Sequence, residues 1–425
     1  MKEDFLHFIW KHQLLNVSKL VTSEGENISL ISPGEHNENT GPDFFNAQLI
    51  IDNQRWAGNV EIHINSSDWY VHGHEKDTNY DNVILHVVWE HDVEIYTEEN
   101  LPIPTLELKN NIDKGILENY FTLFSSNKKW INCENEIGTV DRFIVDNWLE
   151  RLFVERLEQK SEVIQKMLDF SKNDWESVLI QMLSKNFGLK VNGASFLDLI
   201  NSIDFSVIRK EKQSLESIEA LFFGQAGLLN ESIQDTYGQR LLKEYNYLSK
   251  KYKLSPNLGT RIQFFRLRPN NFPTIRLAQL AALLNKHQNL FSKIMATKKL
   301  SDFYKLFDIS ISEYWKTHYS FTSVSKKSNK KLSKSFVDLL VLNTIIPLKF
   351  MYFKQRNSLN EEDLFETLRA INPEKNAIIG KFNDLKTPCN NALESQALLQ
   401  LKNEYCIKNK CMFCAIGNNL LRYSS

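Results

Sequence analysis

The stretch GPDFFNAQLIIDNQRWAGNVEIH, residues 41–63, decides the fold of the first part of this chain. Residues 43–52 alternate well enough between apolar and polar side chains for a β-strand, and residues 55–64 predict a second strand. The intervening Asp-Asn pair is typical of a tight turn. The stretch therefore predicts an antiparallel hairpin.

Three metal-ligand side chains converge at one edge of this hairpin. Asp43 opens the first strand and Glu61 lies near the end of its partner, so antiparallel pairing places them side by side. His63 shares a face with Glu61, because side chains alternate along a strand. Carboxylates suit Mg²⁺ or Mn²⁺, which prefer oxygen ligands. We therefore expect one of these cations at Asp43 and Glu61, with His63 beside it.

The elements around the hairpin indicate an αβββαβ order. Residues 82–90, NVILHVVWE, are rich in Val and Ile on both faces and predict a central, buried strand. The other predicted elements are helices at 3–13 and 66–74, a strand at 28–32 and a second hairpin at 93–109.

The pattern becomes helical after residue 110. Apolar residues recur at three- and four-residue steps, as on one face of a helix. We predict the α+β class: an αβββαβ mixed sheet in a domain at 1–110, followed by a large all-α domain at 111–425. The helical stretches are 141–170, 173–188, 214–229, 275–287, 334–353, 360–371 and 394 onward.

Composition is that of a globular protein, with 42% apolar and 24% charged residues among 425. We expect no apolar run long enough to span a membrane. The first residues, MKEDFLHFIWKHQ, are charged and amphipathic, unlike a secretory signal. Five cysteines do not suggest a secreted disulfide framework. The chain is expected to be cytoplasmic, without a membrane partner.

The net charge changes sign near residue 110, where the predicted elements change from a mixed sheet to helices. Residues 1–110 carry 6 Lys/Arg and 19 Asp/Glu, a net charge of −13; residues 111–425 carry 45 and 33, a net +12. A basic half predicts a nucleic-acid partner, DNA or RNA. The alternative is two domains that dock electrostatically.

The segment 261–279, RIQFFRLRPNNFPTIRLAQ, interleaves arginines with aromatic residues. Arg266, Arg268 and Arg276 are the candidate contacts to nucleic-acid phosphates and bases. The alternative is a rigid loop between helices whose arginines cap carbonyl groups.

Histidines are concentrated before residue 92, where eight of the ten lie. His72, His74 and Asp77, in the stretch DWYVHGHEKD, are candidates for supporting the metal ligands or contacting substrate. A rival interpretation joins them to His63 in a transition-metal site. His86, inside the predicted central strand, is the more ordinary case of a core histidine.

Three cysteines near the end of the chain form the pattern Cys406-x4-Cys411-x2-Cys414. Three soft thiolates in so short a segment are a credible metal site, for an iron–sulfur cluster or a zinc ion. A fourth ligand must come from upstream, with Cys389 or Cys133 as candidates. The alternative is three reduced thiols in a packed tail.

The arrangement of Pro42-Asp43 and Glu61-Ile62-His63 on an αβββαβ order resembles the core of the PD-(D/E)xK nucleases. The resemblance implies that Asp43 and Glu61 bind Mg²⁺ or Mn²⁺, that Glu3 is an additional acid on the first helix, and that phosphodiester bonds are hydrolysed. His63 stands where that family has a catalytic Lys. Some nucleases of this type carry an iron–sulfur cluster on one distant Cys and a C-terminal trio.

The chain as a whole resembles an uncharacterised family known mainly from Bacteroidetes and named only as a domain of unknown function. The segments that carry this resemblance are GPDF, GNVEIH, DWYVHGH, VILHVVWE, RPNNFPTIR and YCIKNKCMFCAIG. Three hypotheses follow for function: a Mg²⁺-dependent nuclease, a catalytically silent nuclease-like module that binds nucleic acid or protein, and a hydrolase with a His-rich transition-metal centre.

Overall fold

The chain divides into two compact units in a computed structural model that describes residues 1–16, 19–125, 129–255, 259 and 261–423. The unit that contains the sheet extends beyond residue 110 and includes the C-terminal cysteine segment. The first unit comprises Met1–Leu149, Lys381–Thr387 and Gln400–Ser425, and the second comprises Glu150–Gly380 and Pro388–Leu399.

A mixed six-stranded sheet forms the centre of the first unit, which confirms the α+β class. Its strands are β1 (Ile28–Ser32), β2 (Glu35–His36), β3 (Phe44–Ile51), β4 (Gln54–Asn65), β5 (Val83–Glu90) and β6 (Thr105–Glu107). The strand order is β1-β3-β4-β5-β6, with β2 also paired to β3. Pairing is antiparallel for β1–β3, β2–β3 and β3–β4, and parallel for β4–β5 and β5–β6.

The predicted hairpin is β3–β4. Asp52 and Asn53 form its turn with φ values of 43° and 74°, the left-handed conformations that a two-residue hairpin turn requires. Phe44 pairs with Val60 at the other end. This register carries Asp43, which directly precedes β3, to the side of Glu61.

The second hairpin predicted at 93–109 is reduced to a short antiparallel turn. Ile103 N–H donates to the carbonyl of Ile95 at 3.1 Å and Thr97 N–H to that of Leu101 at 2.9 Å, around one bridge between Tyr96 and Pro102. Residues 105–107 instead form the short strand β6, which pairs in parallel with β5. Pro102 and Pro104 have no backbone N–H to donate, so this stretch cannot form a regular antiparallel ladder.

Two helices of the first unit position side chains at the sheet edge. Helix α1 (Glu3–Lys11) buries Phe5, Leu6, Phe8, Ile9 and Trp10 almost completely, and it packs on β4. Helix α2 (Asp68–Val71) lies in the crossover from β4 to β5. Six consecutive residues of β5 are buried, as expected of a central strand.

The rest of the described chain is mainly helical. A two-stranded ribbon of β7 (His318–Ser320) and β8 (Ser323–Val324) is a small departure from an all-α region. The helices are α3 (Lys114–Leu123), α4 (Arg142–Phe170), α5 (Trp175–Phe187), α6 (Leu189–Asn201), α7 (Phe205–Glu211), α8 (Leu215–Gln225), α9 (Thr236–Tyr252), α10 (Pro273–Lys286), α11 (Leu290–Ala296), α12 (Leu300–Leu306), α13 (Glu313–Thr317), α14 (Lys334–Leu340), α15 (Ile346–Lys354), α16 (Glu361–Arg369), α17 (Ala377–Asp384), α18 (Ala392–Gln400) and α19 (Ala415–Arg422).

Among the residues that the structure describes, one helical stretch is long and apolar enough to cross a membrane by length and composition alone, where none was expected from sequence. It runs over Lys334–Lys354, where α14 and α15 are joined by a π-helical turn, and its mean hydropathy is 1.6. In the folded chain 72% of the most apolar 18-residue segment of this stretch is buried. The core helix of a soluble protein meets the same criteria of length and composition.

Candidate metal centre

Asp43, which directly precedes β3, and Glu61, on the central strand β4, are adjacent where β3 begins, as the hairpin predicts. The backbone N–H of Asp43 donates a hydrogen bond to Glu61 Oε2 at 3.1 Å, and Asp43 Oδ2 accepts one from the N–H of Ile62 at 2.9 Å. Asp43 keeps 21% of its side chain exposed, whereas Glu61 keeps 6%. The pair is thus fixed by backbone hydrogen bonds and open to solvent on the Asp43 side.

Two imidazoles contact the carboxylate of Glu61, and a third contacts one of these two. Glu61 Oε1 lies 3.3 Å from His74 Nε2 and 3.6 Å from His63 Nε2. His63 Nε2 lies 3.0 Å from Nδ1 of His72. A nitrogen from each of His63, His72 and His74 falls within 4.8 Å of the other two. The structure therefore brings His72 and His74 into direct contact with the predicted site.

The spacing of these donor atoms fits a bound cation. Four ligands at the 2.0–2.2 Å typical of zinc–nitrogen and zinc–oxygen bonds would lie about 3.3–3.6 Å apart in a tetrahedron. The two distances from Glu61 Oε1 fall in that range, and the His63–His72 contact is slightly shorter. A mixed set of carboxylate and imidazole donors suits Mn²⁺ or Zn²⁺ better than Mg²⁺.

A short crossover presents His72 and His74. Helix α2 ends at His72, and Gly73 turns the chain in the left-handed conformation, at φ 74°, so that His74 follows on the same side. The ring of His74 stacks on Tyr80 with centroids 3.8 Å apart.

Asp77 is not part of this group. Its carboxylate accepts hydrogen bonds from the backbone and side chain of Asn79, at 2.9 and 2.8 Å, and caps an exposed 3₁₀ turn. The interpretation that joined Asp77 to the histidines is therefore not supported, because this side chain is engaged elsewhere.

The ring of His63 forms a hydrogen bond with the ring of His86. The two nitrogens, His63 Nδ1 and His86 Nε2, are 2.8 Å apart and both residues are buried. When His63 carries its proton on Nδ1, it donates to His86 and leaves Nε2 free to bind a cation. Burial, then the nearby His74 and His72, lower the pKa of His63 to about 3, so the ring is neutral near pH 7.

Helix α1 adds an acid and an imidazole. Glu3 faces the site: burial first, then the charge of Asp43, raise the pKa of Glu3 to about 7. His7, one turn later, places Nε2 at 3.2 Å from Asp43 Oδ2. Burial lowers the pKa of His7, but the contact with Asp43 and the charge of Glu3 outweigh it and raise that pKa.

Sequence analysis missed His7, although one signal was present. Residues four apart on a helix share a face, so a site that includes Glu3 implicates His7. His36 on β2 was also missed; its ring lies 5.6 Å from that of His7. The buried Nε2 atoms of His7 and His74 face the carboxylates of Asp43 and Glu61, at 3.2 and 3.3 Å.

The C-terminal cysteines meet a fourth thiol, and it belongs to Cys133. Cys133, Cys406, Cys411 and Cys414 line one small cavity of the first unit. Burial, then the neighbouring sulfurs, hold the pKa of the Cys133 thiol well above its ordinary value. Cys389 belongs to the second unit, where its thiol contacts the carbonyl of Asn391. Of the two upstream candidates, Cys133 is the one that the fold brings to the trio.

The three candidate arginines have different environments. Arg266 and Arg268 are exposed. Arg276 is buried, with hydrogen bonds to Gln279 Oε1 at 2.9 Å and Asn271 Oδ1 at 2.6 Å. Its guanidinium also stacks on the ring of Phe336, at 3.6 Å. Arg276 therefore stabilises the second unit and cannot contact nucleic acid as predicted.

Comparison with known proteins gives one match. A family model described as "Protein of unknown function (DUF2851)" matches residues 3–377. Searches of curated proteins and of solved structures find no match.

Proposed function

The chain belongs to the DUF2851 family, whose function is unknown, and we propose from its candidate metal centre that it is a metal-dependent nuclease. The observation that carries the proposal is the convergence of two carboxylates and three imidazoles, from Asp43, Glu61, His63, His72 and His74, at one sheet edge. The order of elements supports it. Apart from the two-residue strand β2, the sequence α1, β1, β3, β4, α2, β5, with a parallel crossover after the Glu-bearing strand β4, resembles the αβββαβ order of the PD-(D/E)xK nuclease core.

The bound cation would polarise the phosphoryl group and lower the pKa of the attacking water. Glu61 would hold it with His63, His74 and His72, and Asp43 would complete the oxygen ligands on the open side. Hydrolysis transfers a proton from water to a base, forms a bond from water oxygen to phosphorus and breaks the bond to the leaving oxygen. His72 is exposed and touches His63, so it is the imidazole that solvent and substrate reach.

His63 stands where the PD-(D/E)xK nucleases have a catalytic Lys, so the site lacks the permanent positive charge of that Lys. His63 is buried and neutral near pH 7. His7 compensates in part, because its raised pKa favours the imidazolium form next to Asp43. We therefore assign the positive charge of the site to His7, with His63 as a ligand.

The test is cleavage of labelled single-stranded DNA, double-stranded DNA and RNA by the full chain, with Mn²⁺, with Mg²⁺ and with a chelator. We expect cleavage that requires the cation and is faster with Mn²⁺. Asp43→Asn and Glu61→Gln should each lower the rate at least 100-fold, as expected when a metal ligand is lost. Asp77→Asn is the matched control: Asn also caps the turn, so activity should be unchanged.

Two outcomes would contradict this assignment. Cleavage that survives in both folded ligand variants would place catalysis elsewhere. Nucleic-acid binding without any cation-dependent cleavage would favour the silent binding module instead, in which His63 replaces Lys because no catalysis is required.

A second candidate is a hydrolase of small substrates with a transition-metal centre. The mutual approach of nitrogens from His63, His72 and His74 favours it, since such a set binds zinc or iron well. Elemental analysis of the unmodified chain and of His72→Ala/His74→Ala, both purified without chelator, separates the two. Stoichiometric zinc or iron that is lost in the histidine variant, with no cleavage of nucleic acid under any cation, would support the second candidate.

A further inference from the structure

Four cysteines from two distant parts of the sequence meet in the first unit. Cys133 precedes the long helix α4, and Cys406, Cys411 and Cys414 lie between α18 and α19. Cys133 and Cys414 are buried, and the others are half-buried. Together they line one small cavity. Four thiols around one cavity are a complete ligand set for a soft metal centre.

N–H groups lie beside two of the sulfurs. Cys414 is the N-cap residue of α19; burial raises the pKa of its thiol to about 11, and the nearby backbone N–H groups of Gly417 and Ile416 act in the opposite direction. Asn132 Nδ2 donates to Cys411 Sγ at 3.4 Å. Hydrogen bonds to sulfur stabilise the thiolate form in which cysteine binds iron or zinc. A packed but unliganded set of thiols has no such requirement.

The backbone around the cavity is shaped to hold the cysteines. Cys406 ends a π-helical turn, Leu401–Cys406, a local widening of the helix that often marks a functional site. Gly417 lies so close to Cys411 that a Cβ atom there would come within 2.1 Å of the Cys411 carbonyl oxygen. Any other residue at 417 would therefore displace Cys411.

The spacing of the cysteines along the chain favours a cluster over a single zinc ion. Cys406-x4-Cys411-x2-Cys414 has the x4, x2 spacing with which plant-type ferredoxins bind an iron–sulfur cluster. The fold adds Cys133 to this trio at one cavity, which completes the four thiolates that such a cluster requires.

We propose that Cys133, Cys406, Cys411 and Cys414 bind an iron–sulfur cluster. The four thiols lose their protons on binding, and the cluster joins the segment 400–425 to the loop that carries Cys133. This site is independent of the proposed nuclease centre, because none of its ligands belongs to the group at Glu61.

The test is iron, acid-labile sulfide and zinc analysis of the full chain purified without oxygen. We expect at least two iron and two sulfide per chain, broad visible absorption that dithionite bleaches, and little zinc. Cys133→Ser should lose most of the iron and sulfide. Cys389→Ser is the matched control and should retain both.

Protection from alkylation provides a test that needs no variant. In the unmodified chain, the four ligand cysteines should react with iodoacetamide only after the iron is removed, whereas the labelling of Cys389 should not change. Stoichiometric zinc without sulfide would overturn the proposal, as would a folded Cys133→Ser protein that retains its iron. Alkylation of all four cysteines in iron-containing protein would also contradict it.

Discussion

Three carboxyl groups, those of Glu3, Asp43 and Glu61, lie close enough at the candidate metal centre to repel one another when ionised. Burial and the charge of Asp43 raise the pKa of Glu3 to about 7, and burial also raises the pKa of Glu61. A bound cation would relieve this repulsion and return Glu3 to its ionised form. The residues at this edge are therefore arranged at a cost to stability, as functional sites often are.

The pKa of Glu3 predicts a pH-dependent gain in stability for Glu3→Gln. A carboxyl group with a folded pKa of about 7 and an unfolded pKa near 4.5 contributes its full stability below pH 4.5, and this contribution is lost progressively as pH rises through 7. At pH 8 the free energy of unfolding of Glu3→Gln should exceed that of the unmodified protein by about 1–2 kcal/mol, a figure that allows for the partial exposure of Glu3. The two proteins should be equal near pH 4.

Urea denaturation at both pH values measures this difference, without added cation. Asp4→Asn is the control, because Asp4 is the exposed neighbour on the same helix turn. If the free energy of unfolding of Glu3→Gln at pH 8 equals or falls below that of the unmodified protein, burial and the other carboxylates do not destabilise ionised Glu3.

Single residues were predictable from sequence only where local periodicity fixes their direction. Asp43, Glu61 and His63 meet because strand alternation and one hairpin register determine their positions. Tertiary packing decides the rest: Cys133 joins the trio in place of Cys389, and Arg276 is buried although its neighbours Arg266 and Arg268 are exposed.

At the scale of elements, α1 determines whether Glu3 and His7 reach the sheet edge. Phe5 is completely buried and stacks on Tyr120 with ring centroids 4.1 Å apart. This contact anchors the helix in the first unit.

Phe5→Ala should lower the free energy of unfolding by about 3–5 kcal/mol, the usual effect of removing a buried aromatic ring. It should also reduce the increase in melting temperature that Mn²⁺ produces, because His7 is then held less firmly against Asp43. Phe121→Ala, at a position that is 53% exposed, is the control and should change neither quantity appreciably. Equal effects of the two variants in thermal and urea denaturation would contradict this role of α1.

Element types were more predictable than element pairing. The hairpin, the central strand and the long helix at 142–170 follow from the period of apolar residues. The parallel pairing of β6 with β5 could not be inferred in this way, since periodicity reports which face is buried and not which strand is the neighbour.

At the scale of the whole molecule, net charge is the feature most relevant to a nucleic-acid partner. The first 110 residues are acidic and would repel phosphates, so binding would depend on the basic remainder of the chain. The compact units do not coincide with this division, because the sheet-containing unit also takes up residues 111–149 and the cysteine segment.

The charge distribution predicts different effects for the arginines. The double variant Arg266→Ala/Arg268→Ala should weaken DNA binding and reduce the slope of log affinity against log salt by about 1–2, with stability unchanged. Arg276→Ala should instead lower the free energy of unfolding by about 2–4 kcal/mol, because it leaves buried polar partners unpaired. Fluorescence anisotropy at several salt concentrations, with urea denaturation, measures both. An unaltered salt slope in the double variant would exclude these arginines from the interface.

Anomalous X-ray scattering at the manganese edge, from crystals grown with Mn²⁺, tests most directly whether a divalent cation binds between the carboxylates and imidazoles beside Glu61. We predict a peak within bonding distance of Glu61, with His63, His72 or His74 among the other ligands, and its loss in Glu61→Gln crystals. A fully occupied manganese peak elsewhere, with none at Glu61, would contradict this prediction.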